Sequence, residues 1–122
     1  SDLPNSQKFP LPFLRWFYPG RGNFIAVVGK WNHQRLIKKV KKSLAGSSQI
    51  PVKSLTAMSL LPGVSFSDHQ SYWKFHYPAV MITDSAFYRN KNYHKPSDTA
   101  DTLDYNRMAE VVKGLFWTIT QM

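Results

Sequence analysis

The sequence of 122 residues contains no cysteine and only seven acidic side chains, and no uninterrupted apolar run approaches 18 residues. The absence of cysteine excludes disulfides, thiolate zinc sites and cysteine nucleophiles, but it does not indicate a compartment. The short apolar runs exclude a transmembrane helix, and the first residues lack the basic and apolar regions of a signal peptide. Because 43% of the residues are apolar, we expect a hydrophobic core to stabilise the fold.

Acidic residues are almost missing from the first half of the chain. Residues 1–66 contain ten Lys or Arg and a single acid, Asp2, whereas residues 67–122 contain six residues of each sign. The formal net charge of +9 therefore belongs to the first half. The acids of the second half have two interpretations: they cap helices and turns, or some of them face a metal ion or a substrate amine.

Hydrophobic periodicity predicts strands that alternate with helices. Short apolar runs ended by Gly or flanked by Pro predict strands at 24–29, 52–60 and 79–83. Apolar residues spaced three and four apart predict helices at 32–44 and 105–119. A capping residue followed by Tyr77-Pro78 predicts a short helix at 68–76. The candidate N-caps are Asn32, Ser67 or Asp68, and Asp104. This order predicts an α/β fold in which helices pack over a small, mostly parallel sheet, with residues 1–122 forming a single domain.

Two other patterns have a structural and a functional interpretation. A basic helix face predicts a solvated surface, with phosphate binding as the alternative, and it consists of Lys38, Lys39, Lys41 and Lys42. Because no nucleic-acid-binding signature accompanies these lysines, we do not expect a nucleic-acid partner. The aromatic cluster at 13–18 is interpreted as core or interface packing, and base stacking is the alternative. His33 and His76 have no acidic neighbour at a useful spacing and are not expected to be metal ligands.

Two polar motifs flank the third predicted strand. Ser67-Asp68-His69 precedes it, and a later loop carries His94 with Asp98 four residues on. Loops at strand ends are where an α/β fold presents reactive groups. The structural interpretation makes Asp68 a helix cap, His69 a partly buried first-turn residue and Asp98 a turn residue. The functional interpretation makes them part of a metal or acid–base site.

Read together, the segment from Pro62 to the C-terminus closely resembles the C-terminal part of the M28 family of zinc-dependent exopeptidases, of the bacterial leucyl aminopeptidase type. The family pattern is Ser-Asp-His, a short helix, a strand that begins with Pro-Ala, then Tyr-His-x-x-x-Asp-Thr and a final helix. Its matches here are Ser67-Asp68-His69, Pro78-Ala79, and Tyr93-His94-Lys95-Pro96-Ser97-Asp98-Thr99. The resemblance implies part of the α/β/α fold of zinc exopeptidases, and residues 1–60 are compatible with its preceding strand–helix–strand.

The resemblance also implies a role for each matched residue. His94 matches the last zinc ligand of the family's two-metal centre. Asp68 matches an acid close to the general base, which handles protons and substrate. Ser67 and His69 would be its neighbours, and Asp98 would support the ligand or cap the loop. The implied chemistry is hydrolysis of the N-terminal bond of a peptide substrate by two zinc ions about 3.5–4 Å apart.

The sequence departs from the family pattern because the earlier ligands and the general base are missing. Only Asp2 precedes Asp68, and the single Glu of the chain is Glu110. A catalytic zinc takes about three protein ligands, and His94 supplies one. We therefore expect the C-terminal portion of a larger peptidase domain, inactive alone, whose partner is the upstream half of the fold or a second copy. The alternative is a non-catalytic interaction or dimerisation module with a basic face.

Overall fold

A computed structural model describes residues 3–9, 11–57 and 67–122. Three strands form one sheet in the order β2-β1-β3: β1 (Ile25–Lys30), β2 (Val52–Ala57) and β3 (Val80–Thr83). The α-helices are α1 (Gln34–Ser47), α2 (His69–Lys74) and α3 (Tyr105–Thr120). The predicted α/β class is confirmed. The predicted continuation of the second strand at 58–60 lies outside the described residues.

The strand directions correct one prediction. β1 pairs with β2 in parallel but with β3 antiparallel, so that Val80 lies opposite Gly29 and Thr83 opposite Ala26. The prediction of a mostly parallel sheet is therefore wrong. A strand is parallel only if the connection before it carries the chain back across the sheet. Here α2 spans about 9 Å, and the chain enters β3 at the end of the sheet where β1 and β2 finish.

Helices cover both faces of the sheet. Val27 packs with Ile37, Val40 and Leu44 of α1, whereas the next residue, Val28, packs with Trp73 of α2. Successive residues of a strand face opposite sides, so α1 and α2 lie on opposite faces of the sheet. α3 joins the α1 layer, because its Leu115 packs against the Val27 cluster. The core therefore consists of two apolar layers separated by β1.

The contact between α1 and α3 depends on a glycine. A Cβ built at Gly114 would lie 2.6 Å from Cδ1 of Leu44 and 3.1 Å from Cβ of Ser48. The neighbouring Thr118 is buried and donates its hydroxyl to the Gly114 carbonyl at 2.7 Å. A bulkier residue at position 114 would push the two helices apart. Close packing here therefore requires a residue that has no side chain.

The helix starts confirm one predicted cap and correct two. Asp104 caps α3, because its carboxylate accepts a hydrogen bond from the Arg107 amide at 3.1 Å. Asn32 does not cap α1, because it lies inside a 3-10 turn at Trp31–His33 that precedes the helix. Asp68 occupies the N-cap position of α2 without a capping hydrogen bond. Its backbone is already helical, and a capping side chain needs an extended backbone to reach the first amides.

The aromatic cluster at 13–18 does not form a core. Trp16 and Phe17 expose 85% and 73% of their surface, and the buried residue of this short 3-10 segment is Leu14. Tyr18 instead reaches the sheet, where its hydroxyl donates to the Ser54 carbonyl at 2.7 Å. Trp16 and Phe17 therefore do not pack in the core, and interface packing, the other half of the prediction, stays a prediction for them. In the described part of the chain, no helix is long and apolar enough to cross a bilayer.

Candidate functional site

The first candidate segment begins α2. Ser67 and Asp68 are exposed, and their carbonyls accept hydrogen bonds from the Gln70 and Ser71 amides at 3.0 Å each. Their backbone therefore starts the helix while their side chains remain accessible. His69 is 8% exposed and packs edge-on against Trp73, with ring centroids 4.5 Å apart. His69 is thus a first-turn residue, as in the structural interpretation, but it is buried and not partly buried, and its ring contacts Trp73 within α2.

The second candidate segment follows β3 and carries His94. The backbone of His94 is left-handed, with a φ of 56°, and the residue is exposed. Its imidazole stacks on the Tyr93 ring at a centroid distance of 4.0 Å and an angle of 14°. His is among the few residue types that adopt this backbone conformation with some frequency. The turn and the stack together present the imidazole to solvent in a defined orientation.

Hydrogen bonds within the loop fasten the turn around His94. The Asp98 carboxylate accepts from the Asn90 side-chain amide at 3.0 Å, and the Asp98 backbone amide donates to the Lys95 carbonyl at 2.9 Å. The Ser97 hydroxyl donates to the Asn92 side chain at 3.0 Å. Asp98 therefore links two ends of the loop across His94. This arrangement favours the turn-forming interpretation of Asp98.

A partly buried arginine anchors the beginning of the same loop. Arg89 donates to the Gln7 side-chain oxygen from Nε and Nη2, at 3.1 and 2.9 Å, and to the Phe24 carbonyl from Nη1 at 2.9 Å. Its guanidinium also lies over the Phe24 ring, 4.9 Å from the centroid. Burial lowers the pKa of Arg89, and the nearby Asp84 carboxylate opposes that shift. The oxygens that replace water around the guanidinium are both neutral: the side-chain oxygen of Gln7 and the backbone carbonyl oxygen of Phe24.

The Arg89 anchor connects distant parts of the chain. The Ser85 hydroxyl also donates to Gln7, at 3.0 Å, and the Lys8 amide donates to the Tyr88 carbonyl at 2.8 Å. A Cβ at Gly22 would lie 2.7 Å from Nε of Arg89, so the glycine leaves space for the guanidinium. Sequence reasoning missed this cluster. Gln7 and Arg89 stand 82 positions apart, and neither belongs to a recognisable motif.

The contacts described for the five candidate residues lie within their own segments. Ser67, Asp68 and His69 contact α2, whereas His94 and Asp98 contact the loop after β3. Among the residues that the structure describes, no three His, Asp or Glu side chains form a group that could hold a metal ion. A catalytic zinc requires about three protein ligands. The described residues therefore do not fit a zinc ion by themselves, and His94 is a single exposed imidazole.

Comparisons with known proteins extend the argument to the whole chain. The family described as "Peptidase family M28" matches residues 18–118. The protein printed as "Uncharacterized protein YfbL" of Escherichia coli (strain K12) is 50% identical over 114 residues, which cover 93% of this chain and 35% of that protein. "Leucine aminopeptidase 1" of Ajellomyces dermatitidis is 31% identical over 90 residues, covering 73% of this chain and 22% of that protein.

The match is extensive along this chain but partial along its relatives. No solved structure matches the chain significantly. The chain spans about a third of the length of the E. coli relative and about a fifth of the length of the fungal one. The family match includes α2, β3, the His94 loop and most of α3, which are the elements that carry the candidate residues. The chain belongs to peptidase family M28.

Proposed function

We propose that this chain forms one wall of a zinc-dependent aminopeptidase site of the M28 type and that it is catalytically incomplete by itself. The observation that carries the proposal is the exposed imidazole of His94, held on a left-handed turn within the matched region. Arg89 and Asp98 fasten the loop before and after that turn. A ligand fixed in this way loses little conformational entropy on binding a metal ion.

The two candidate side chains would act on different partners. His94 would supply one nitrogen ligand to zinc when an M28 segment that carries the missing acids provides the others. Asp68, which is exposed at the start of α2, would take up a proton or hold the free amino group of a peptide substrate. A zinc site supplies a Lewis acid and an activated water. His69 would support Asp68 through its edge-on contact with Trp73 of the same helix, because Trp73 packs α2 against the sheet.

A chimaera tests this proposal, with the isolated chain as its reference. In the chimaera, this chain replaces the 114 matched residues of the E. coli relative. We expect the isolated chain not to hydrolyse leucyl reporter substrates with or without zinc. The chimaera should bind zinc and hydrolyse them in a chelator-sensitive reaction. The measurements are zinc content by mass spectrometry and the rate of reporter release.

Two histidines of the chain provide a matched pair of variants. His94 and His76 both have a left-handed backbone, with φ values of 56° and 62°. Asn tolerates that conformation, so His94→Asn and His76→Asn keep both turns. We expect His94→Asn to lower zinc content and to reduce reporter hydrolysis at least about tenfold, in the range that loss of a metal-site contact causes. His76→Asn should change neither. Equal zinc content in the two variants would contradict the assignment of His94, and zinc-dependent turnover by the isolated chain would contradict its incompleteness.

A second candidate function, a non-catalytic interaction module, is favoured by a different observation. The outer face of α3 exposes several large apolar side chains, with Val112 59% and Ile119 72% exposed. Contiguous apolar surface of this kind is typical of an interface. The two candidates are compatible, because a chain that supplies part of an active site must also bind the rest of it.

A further inference from the structure

A short N-terminal segment connects the chain before β1 to the loop after β3. The segment consists of residues 6–8, and we call it the strap. On one side, the Gln7 amide donates to the Gly20 carbonyl at 3.1 Å. On the other side, the Lys8 amide donates to the Tyr88 carbonyl at 2.8 Å. The strap therefore lies between two parts of the chain that are distant in sequence.

Gln7 is the buried residue of the strap, and both ends of its carboxamide are engaged. The residue is 6% exposed. Its Oε1 accepts from Nε and Nη2 of Arg89 at 3.1 and 2.9 Å, and its Nε2 donates to the Lys8 carbonyl at 2.8 Å. Without Oε1, two donors of a partly buried guanidinium would lose their acceptor, which opposes this arrangement of the loop.

The backbone beside this contact is strained. Ser85 and Ala86 both have a left-handed backbone, with φ values of 73° and 43°. Non-glycine residues seldom adopt this conformation, and it persists where the surrounding contacts hold it in place. The Ser85 hydroxyl donates to Gln7 at 3.0 Å, and the Arg89 amide donates to the Ala86 carbonyl at 2.9 Å. Gln7 therefore binds the residues on both sides of the strained turn.

Aromatic rings connect this turn to His94. The Phe87 ring lies 5.8 Å from the Tyr93 ring, and Tyr93 stacks on the His94 imidazole at 4.0 Å. Rings at such distances are in contact and restrict each other's orientation. The place of Phe87 therefore influences where Tyr93 lies, and Tyr93 determines how the imidazole is oriented. A continuous series of contacts leads from Gln7 to His94.

We propose that Gln7 is a positioning residue: through Arg89 and the strained turn, it fixes the loop after β3 and the orientation of the His94 imidazole. Gln7 precedes residue 18, where the family match begins, so the candidate site depends on a residue outside that match. The consequence for zinc rests on the proposed function, because it assumes that His94 binds the metal ion. The consequence for the loop does not.

Two substitutions at position 7 test the role of the side-chain oxygen. Met has nearly the length of Gln but only a weak acceptor, whereas Glu keeps oxygens for Arg89. In the 122-residue chain, Gln7→Met should speed hydrogen exchange of the Asn90 and Lys95 amides about tenfold or more, with exchange in β1 unchanged. The NMR signals of the His94 ring should move towards those of an unstructured peptide. Gln7→Glu should resemble the parent in both measurements.

Thr118→Val is the matched control. Thr118 is another buried polar residue, 3% exposed, but its hydroxyl donates within α3. This variant should leave the loop amides and the His94 ring signals unchanged. Loop exchange in Gln7→Met that equals the parent's, or that rises only together with exchange in β1, would overturn the proposal.

Arg89→Lys tests the same contact from the other side, and it decides the question if Gln7→Met does not fold. Lys keeps the positive charge but lacks the planar group that reaches both the Gln7 and Phe24 oxygens. We expect faster exchange of the loop amides and a shift of the His94 ring signals. Unchanged exchange and unchanged signals in this variant would overturn the proposal.

Zinc binding by the chimaera with the E. coli relative measures the effect on the metal site. Gln7→Met should weaken zinc binding about tenfold, as loss of a residue that orients a metal ligand does. At saturating zinc it should retain most of the reporter hydrolysis, because His94 is still present. Equal zinc affinity of Gln7→Met and the parent chimaera would overturn the positioning role. If the parent chimaera binds no zinc, the proposed function fails, and the loop measurements alone decide the role of Gln7.

Discussion

The two long helices, α1 and α3, place their apolar side chains in opposite environments. In α1, Ile37, Val40 and Leu44 are at most 3% exposed, whereas Lys38, Lys39 and Lys42 are exposed. In α3, the buried residues are Gly114 and Thr118, while the exposed face that we call the α3 stripe consists of Tyr105, Met108, Val112 and Ile119, which are 45% to 72% exposed. The helices contact each other, so the difference does not arise from α3 being detached.

The difference in exposure between the two helices reflects what each helix packs against. The apolar face of α1 meets the sheet and is covered by residues of this chain. α3 meets α1 through a small residue and directs most of its large apolar side chains away from that contact. Amphipathic helices normally bury their apolar side. The apolar face of α1 is therefore covered by described residues of this chain, whereas most of the large apolar side chains of α3 are exposed.

The largest effect is expected when one apolar side chain is removed from each helix. Leu44→Ala should lower the free energy of unfolding by about 2–5 kcal/mol, because the side chain is 1% exposed and its loss leaves a cavity. Val112→Ala should change it by less than about 0.5 kcal/mol, because position 112 is exposed. Urea unfolding followed by circular dichroism measures both. A large loss for Val112→Ala would show that the α3 stripe is already buried in the isolated chain.

A smaller effect is expected from the contact between the helices. Gly114→Ala should lower the free energy of unfolding by about 1–3 kcal/mol from overpacking, reduced by the roughly 1 kcal/mol that Ala gains over Gly in a helix. The added Cβ would lie 2.6 Å from Cδ1 of Leu44. The same substitution in a Leu44→Ala background should cost less, because the shortened side chain leaves room. Additive effects in this double-mutant cycle would contradict a direct contact.

Local patterns in the sequence predicted those parts of the fold that depend on neighbouring residues. The apolar run before Gly29 predicted β1, and Asp104 was correctly identified as the cap of α3. The direction of β3 was not predictable in the same way, because it depends on where a long connection returns to the sheet. The apolar spacing of α3 was visible, but periodicity shows that a face is apolar and does not show what covers it.

In the candidate site, too, contacts between neighbouring residues were predictable from the sequence, whereas a contact between distant residues was not. The spacing of Tyr93, His94 and Asp98 identified the loop, and its internal hydrogen bonds join residues fewer than ten positions apart. The anchor that holds the loop joins Arg89 to Gln7, and it has no sequence signal because each residue alone is an ordinary polar side chain. The assignments of His94 as a zinc ligand and of Asp68 as a proton partner stay predictions.

The smallest expected effect concerns a carboxylate that connects the end of α1 to α3. Glu110 accepts hydrogen bonds from the Gln49 amide at 2.9 Å and from Lys113 at 3.0 Å. Both hydrogen bonds lower the pKa of Glu110, and the bond from the Gln49 amide has the larger effect. A carboxyl group whose pKa is lower in the folded state stabilises the fold above its unfolded pKa, which is about 4.3. That stabilisation is lost as the pH falls through the folded-state pKa.

We therefore expect the urea midpoint to fall as the pH is lowered below about 4.3, with part of that fall absent in Glu110→Gln. Asp101→Asn is a useful comparison, because the pKa of Asp101 is also lowered but its main partner, Thr99, lies on the same turn. Acid should lower the protection of the Gln49 amide, measured as its exchange rate relative to that of an unstructured peptide at the same pH, in the parent and in Asp101→Asn. In Glu110→Gln that protection should depend less on pH. Identical pH profiles for the parent and Glu110→Gln would show that the carboxylate does not stabilise the contact between the end of α1 and α3.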